Sequence, residues 1–271
     1  MAKKKQTKTL TFLKPSWLTV LFLGVAIGIA SQQIQQLRAY TNEFIQPAEH
    51  PFAQSPVPGH PTSSFIIHRP NYTLEFDASR RVPKWTFEHL TAASLEKNVD
   101  RSNFDFIEDE ALPQHLRSTL ADYRGSGYDR GHSACAANHR SSAEAMAGTF
   151  YLSNICPQNP ACNRGHWAQL ERYARDLTRD YENVYVLSGP LYLPTIEENG
   201  KRYVKYEVLG QNNVSVPTHF FKIISLEDAH GNKETQAFIL PNEPIAEKTS
   251  LDCFKTTVEK VEKCAGIVFA K

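Results

Sequence analysis

With 271 residues, 41% of them apolar, the chain is long enough for one large domain plus a tail and too apolar to be disordered throughout. Its formal charge of +1 excludes a protein-wide basic field as a source of nucleic-acid affinity. Of the 30 basic residues, five lysines (Lys3, Lys4, Lys5, Lys8, Lys14) precede the first acid, Glu43, leaving 25 against 29 acids.

Residues 1–15 are basic and free of acids, and Trp17–Ala30 (WLTVLFLGVAIGIA) is almost wholly apolar. That run is short of the roughly 20 residues a spanning helix needs. Three readings stand: a secretory signal ending at Gly28-Ile29-Ala30, a mitochondrial presequence with a hydrophobic sorting segment, or a short membrane anchor through residues 17–30. Residues 31–62 are Gln-rich and then Pro-rich (QPAEHPFAQSPVPGHP) and read as an exposed linker. The folded body is expected over residues 63–271.

Ser64–Arg69 and Tyr72–Phe76 predict a hairpin about Pro70-Asn71, and Pro83–Thr91 continues the sheet. The charged, aperiodic residues 97–120 predict a wrapping loop, with a short helix near Pro113–Asp122. Gly125-Ser126-Gly127 predicts a turn, Ser142–Met146 a helix, and Phe150–Pro157 a strand ended by its proline. From Asn163 to Tyr181 one continuous helix is expected, because Trp167, Leu170, Ala174, Leu177 and Tyr181 recur at steps of three and four. Strands are expected at Asn183–Leu193, Tyr203–Leu209, His219–Leu226 and Thr235–Leu240, with helical spacing over Leu251–Cys264. Strands joined by short turns, with one helix inserted, predict an α+β fold with a largely antiparallel sheet flanked by helices.

The chemistry concentrates between Tyr128 and Glu171. Arg124–Arg179 holds seven arginines, no lysine and four acids, which reads as a local basic surface or as a solvated helix face. Hydrolysing a phosphodiester needs a nucleophile made at neutral pH, neutralised charge and help for the leaving oxygen. A histidine serves as base because its ordinary pKa is about 6.5. Mg²⁺ keeps several waters, so one well-placed Asn amide oxygen is enough protein for it.

Taken singly, Asn163 reads as a helix N-cap, Glu171 as a surface charge and Asn154 as a turn former. Cys156, Cys162 and His166 suggest zinc, although C-x5-C-x3-H matches no standard ligand pattern and lacks a fourth partner. The five cysteines (Cys135, Cys156, Cys162, Cys253, Cys264) form an odd, sparse set that argues against a disulfide scaffold.

The joint order is more specific: DRGH at 129–132, YLSN at 151–154, PQ with Asn163 downstream, then W-x-x-L-E ending at Glu171. It resembles the DRGH nucleases, the sugar-non-specific DNA/RNA endonuclease family with a ββα-metal (His-Me finger) site. ADYRGSGYDRGH, AMAGTFYLSN, NVYVLSGPLYLP and VPTHFFK resemble its mitochondrial members, over roughly residues 64–271. The resemblance implies His132 as general base and Asn163 as the direct protein ligand of Mg²⁺, with Mn²⁺ as a substitute. Asp129 and Glu171 would hold metal-bound waters. Arg130 and Asn154 would hold the phosphate and support the site, and Arg101 would bind phosphate from upstream. It further implies DNA and RNA as substrates, 5′-phosphate products, a homodimer, and a place in the mitochondrial intermembrane space or inner membrane, against the secretory pathway that the apolar run alone suggests. An inert nucleic-acid-binding relative and a membrane-anchored zinc hydrolase are the competing readings.

Overall fold

The computed structural model describes residues 65–269, so the expected targeting segment (1–30), with its possible anchor at 17–30, and the linker (31–62) lie outside the described residues. The first strands are β1 (Phe65–Arg69), β2 (Tyr72–Asp77), β3 (Val82–Leu90), β4 (Asp129–His132), β5 (Ile155–Gln158) and β6 (Asn183–Leu191). Four two-residue strands follow: β7 (Thr195–Ile196), β8 (Arg202–Tyr203), β9 (Val208–Leu209) and β10 (Val214–Ser215). The last are β11 (His219–Glu227), β12 (Lys233–Pro241) and β13 (Lys255–Thr256). The helices are α1 (Leu120–Tyr123), α2 (Ala143–Gly148), α3 (Pro160–Cys162), α4 (Ala168–Asp176) and α5 (Val258–Ala265).

A seven-stranded sheet in the order β1-β2-β3-β6-β11-β12-β13, antiparallel at every pairing, carries the domain. Arg69 faces Tyr72, so Pro70 and Asn71 make the first turn as expected. Alternation along the strands sorts the side chains into two layers. On one face Val184, Val186, Phe220, Ile224, Leu226, Phe238 and Leu240 share a core with Trp167, Leu170 and Ala174. On the other, Leu187, Phe221, Ile223 and Ala237 pack against Val261 of α5. A transverse polar row crosses the first face, on which Glu88 of β3 is also buried. Thr86 lies opposite Ser188 and Ser188 opposite Lys222, and all three are buried.

The expected continuous helix from Asn163 to Tyr181 is broken. Asn159 caps α3, accepting from the amides of Ala161 (2.9 Å) and Cys162 (3.4 Å), so Asn163 is not the N-cap. Asn163–Trp167 forms a wide turn in which Gly165 leaves helical geometry (φ −100°, ψ −109°), and α4 ends in a 3₁₀ turn, Leu177–Arg179. Trp167, Leu170 and Ala174 are buried, with Leu177 and Tyr181 packed against the same core, so the stripe survives the break.

Other boundaries shift for local reasons. Leu152–Asn154 is a 3₁₀ turn, and β5 contains Pro157 rather than ending at it; a two-stranded ribbon tolerates the missing N–H. The Tyr203–Leu209 stretch keeps only the ends β8 and β9, because Val204, Tyr206 and Val208 are exposed and no core face collects them. Before α5 come a 3₁₀ turn (Leu251–Phe254) and β13; Thr257 accepts from the Lys260 amide and starts the helix there. Near Pro113–Asp122 only α1 forms, where Asp122 accepts from the amide and hydroxyl of Thr119.

Candidate active site

β4 and β5 form an antiparallel ribbon, His132 opposite Ile155 and Asp129 opposite Gln158, and the chain then turns into α3, the wide turn and α4. DRGH is therefore a strand. Its glycine is required by packing: a Cβ on Gly131 would lie 1.8 Å from Gln158 Oε1. Asn154 holds the loop after His132. Its Oδ1 accepts from the Ala134 amide at 2.8 Å and its Nδ2 donates to the carbonyls of Ala134 and Thr149. Fully buried and engaged in this way, Asn154 positions backbone and is not free to hold a phosphate.

The His132 ring packs against two phenyl rings that also touch each other: Phe106 lies at 5.2 Å, Phe150 edge-on at 5.1 Å, and the two phenyls are 5.1 Å apart. Each phenyl also carries an arginine, Arg130 at 4.5 Å over Phe106 and Arg101 at 5.7 Å over Phe150. The structure thus brings Arg101, Arg130 and His132 together around one aromatic pair. Burial first, then the charge of Arg101 and the neighbouring His139, push the His132 pKa down to about 3. The imidazole is neutral at pH 7, and its Nε2 has no protein partner. That is the protonation state of a proton acceptor.

Asn163 donates its Nδ2–H to Asp129 Oδ2 at 2.8 Å, and its Oδ1 takes no protein donor. Arg164 completes a fork on the same carboxylate, Nε to Oδ2 at 2.9 Å and Nη2 to Oδ1 at 2.6 Å. Burial would raise the Asp129 pKa, but the hydrogen bonds from Arg164 and Asn163 outweigh it and hold the carboxyl below its ordinary value. Both Asp129 oxygens accept from protein donors, so an orienting role joins the water-holding role expected of it. A half-buried amide oxygen so oriented, beside an ionised carboxylate, fits a hard cation that retains its waters.

Glu171 lies on α4, half-buried; burial raises its pKa, opposed first by the charge of Lys222. Among the described residues no group of three or more His, Cys, Asp or Glu side chains is placed to hold a metal. The zinc expectation fails on this point. Cys162 donates its thiol to the Pro241 carbonyl, His166 bonds the Thr249 carbonyl at 2.9 Å, and burial raises the Cys162 pKa to about 12. Phe106, Phe150, Arg164 and Lys222 went unread in the sequence. Only Lys222 had a local signal, a lysine at an inward position of the apolar run HFFKIISL.

A histidine on a two-stranded ribbon, followed by a helical segment that presents an asparagine, is consistent with the ββα-metal nuclease fold. Over residues 53–271 the chain matches the DNA/RNA non-specific endonuclease family and belongs to it, a family of metal-dependent nucleases acting on nucleic acid. It is 47% identical over 211 residues to mitochondrial endonuclease G of Bos taurus, covering 78% of this chain and 71% of that one. It is 38% identical to the mitochondrial nuclease EXOG of Xenopus laevis (95% and 73% covered) and 46% identical to nuclease C1 of Cunninghamella echinulata (77% and 83%). A solved EndoG/EndoGI complex matches in fold at TM-score 0.75 with 47% identity, covering 78% of this chain and 87% of that chain.

Proposed function

We propose that the protein is a mitochondrial endonuclease that hydrolyses phosphodiester bonds of DNA and RNA without sequence specificity, with His132 as general base. The observation that carries this reading is the neutral His132 imidazole, with unpartnered Nε2, on the ribbon that also bears the Asp129–Asn163 pair. His132 takes the proton of the attacking water. Arg130 and Arg101 bind the phosphate, and the phenyl rings beneath them keep the guanidinium groups and the imidazole in a common frame. Asn163 Oδ1 would be the direct ligand of Mg²⁺, or of Mn²⁺ in its place; Asp129 fixes the amide, and Glu171 and Asp129 would hold the surrounding waters. The metal would supply neutralisation of charge on the phosphate and leaving oxygen. Attack at phosphorus with loss of the 3′ oxygen leaves 5′-phosphate ends.

The organisation that goes with this is a targeting or anchoring segment over 1–30, a linker over 31–62 and the nuclease domain over 63–271. Membrane association through 17–30, residence in the intermembrane space or on the inner membrane, and a homodimer belong to the same reading. Incubating the full chain with plasmid and with RNA, with Mg²⁺, with Mn²⁺ and with chelator, tests the activity. Cleavage of both that chelator abolishes is expected; intact plasmid and RNA under every condition, with binding retained, would make the chain an inert relative. A reticular or secreted pattern for residues 1–60 fused to a fluorescent protein would overturn the mitochondrial assignment, and light scattering at the mass of one chain would overturn the dimer.

A further inference from the structure

The Asp109 carboxylate, in the long stretch between β3 and α1, joins three parts of the chain. Its Oδ2 accepts from Arg69 Nη2 of β1 at 2.5 Å and from the Ser153 hydroxyl, and its Oδ1 accepts from the Ala111 amide at 3.0 Å. The Arg69 and Asp109 side chains are 4% and 2% exposed, and the guanidinium also lies over the Tyr151 ring at 4.1 Å. An ion pair buried this deeply is a poor source of stability, because apolar side chains of similar volume often do as well or better. Its place in the fold points to another task.

Asp109 stands at the end of the segment that brings Arg101 and Phe106 to the site. That segment is stitched to residues 140–153 on both sides of them. Upstream, the Asn98 and Val99 amides donate to the Arg140 carbonyl at 3.0 and 3.1 Å. Downstream, the Ile107 amide donates to the Phe150 carbonyl at 3.1 Å and the Leu152 amide to the Ile107 carbonyl at 2.9 Å. Asp109 adds its bonds to Ser153 and Arg69 there. Phe106 immediately precedes this second seam; its ring meets His132 at 5.2 Å and carries Arg130 at 4.5 Å. Ser153 precedes Asn154, which clamps the Ala134 backbone after His132. One carboxylate thus ties the edge strand both to the phenyl platform and to the turn that fixes the histidine's loop.

We propose that Asp109, bonded to Arg69 and Ser153, is a positioning residue that sets how Phe106 meets the His132 ring, and through that platform where Arg130 and the imidazole stand. This rests on the roles given to His132 and Arg130 above. Its rival is that the ion pair merely fastens β1 to the loop and has no bearing on catalysis.

Kinetics and proton NMR on the full chain separate the two. The variants are Arg69→Met/Asp109→Leu, Phe106→Ala, all three together, and Arg69→Met/Asp109→Asn. Each is measured for melting temperature, for kcat on a duplex with Mg²⁺, and for the ring-proton signals of His132, identified by their loss in His132→Ala. Arg69→Met/Asp109→Leu removes one charge of each sign and is expected to fold. Its His132 signals are expected to move and its kcat to fall about 10-fold or more, since misplacement by about 1 Å can cost about 10²-fold. Added to Phe106→Ala, the same pair is expected to cost less than about twofold further, because both act through one contact. Arg69→Met/Asp109→Asn keeps an acceptor for Ser153 and the Ala111 amide and is expected to lie between the wild type and the Leu pair. Unmoved His132 signals, a native kcat, or a full additional loss on top of Phe106→Ala would each overturn the proposal. If the Leu pair does not fold, the Asn pair decides, moved signals with lowered kcat supporting the role and native values refuting it. A wild type that cleaves nothing refutes the roles of His132 and Arg130, while the ring signals still report whether Asp109 places Phe106.

Discussion

Asp129 grips the Asn163 amide by its nitrogen, at 2.8 Å, which leaves the Asn163 oxygen without a protein donor. Asn163→Ala is expected to cut cleavage by about 10²-fold or more with the melting temperature little changed, since Asn159 and not Asn163 caps the helix and one lost hydrogen bond is worth about 1 kcal/mol. Asp129→Asn lets the two amides pair either way round and is expected to weaken apparent metal affinity by about 10-fold or more. Cleavage rate against Mg²⁺ concentration, with a melting curve for each variant, checks both. Full activity in Asn163→Ala would return that residue to a structural role.

His132→Ala is expected to lower the cleavage rate by about 10²–10⁴-fold, the usual loss for a general base. Affinity for a DNA duplex should stay near native, because Arg101 and Arg130 keep their phenyl platforms. The variant loses a ring packed against Phe106 and Phe150, so some loss of melting temperature accompanies it. A rate that only tracks the fraction folded would contradict the assignment.

The half-buried His132 also makes stability depend on pH. Its folded pKa, about 3, lies below the ordinary value of 6.5, so below pH 6.5 the unfolded chain takes up a proton that the native site refuses. The contribution is whole above pH 6.5 and is lost progressively as pH falls towards 3. His132→Phe lacks this titration. The melting temperature of the wild type relative to His132→Phe is therefore expected to fall between pH 7 and pH 4. A constant difference across that range would show that the imidazole titrates alike in both states.

Gly131→Ala places a methyl group against Gln158, whose Oε1 lies 1.8 Å and Cδ 2.4 Å from the new Cβ. A loss of about 1–3 kcal/mol is expected, the ordinary cost of overpacking. Gln158→Ala in the same chain should recover much of it, which urea midpoints of the two single variants and the double would show.

The sheet was legible because short β-branched and aromatic runs such as HFFKIISL and NVYVLSGP, bounded by turn residues, fit a buried strand better than a helix. The observed strands agree to within a few residues. The break at Gly165 was not legible, because a wide turn leaves Trp167, Leu170 and Ala174 in phase and period counting is blind to a single turn of altered pitch. Within the candidate site, His132, Arg130, Asp129 and Asn163 were singled out through the family resemblance that the order of their motifs carries. Asn154 was found as a residue but its task was not, since clamping the Ala134 backbone depends on a loop twenty residues away. Phe106 and Phe150 belong to separate segments and carried no mark of the ring they pack against.

The transverse row of Thr86, Ser188 and Lys222 also bears on how the sheet assembles. Neighbouring antiparallel strands rich in Val, Ile and Phe offer little to distinguish one alignment from the next. Sliding a strand by one residue turns every side chain to the opposite layer. For β11 that slip would send the ammonium among Leu187, Leu191 and Val261, away from Ser188, which would stay on the near side. Mispaired chains are thus penalised at the centre of the sheet, and the row acts as a key that only the native alignment fits.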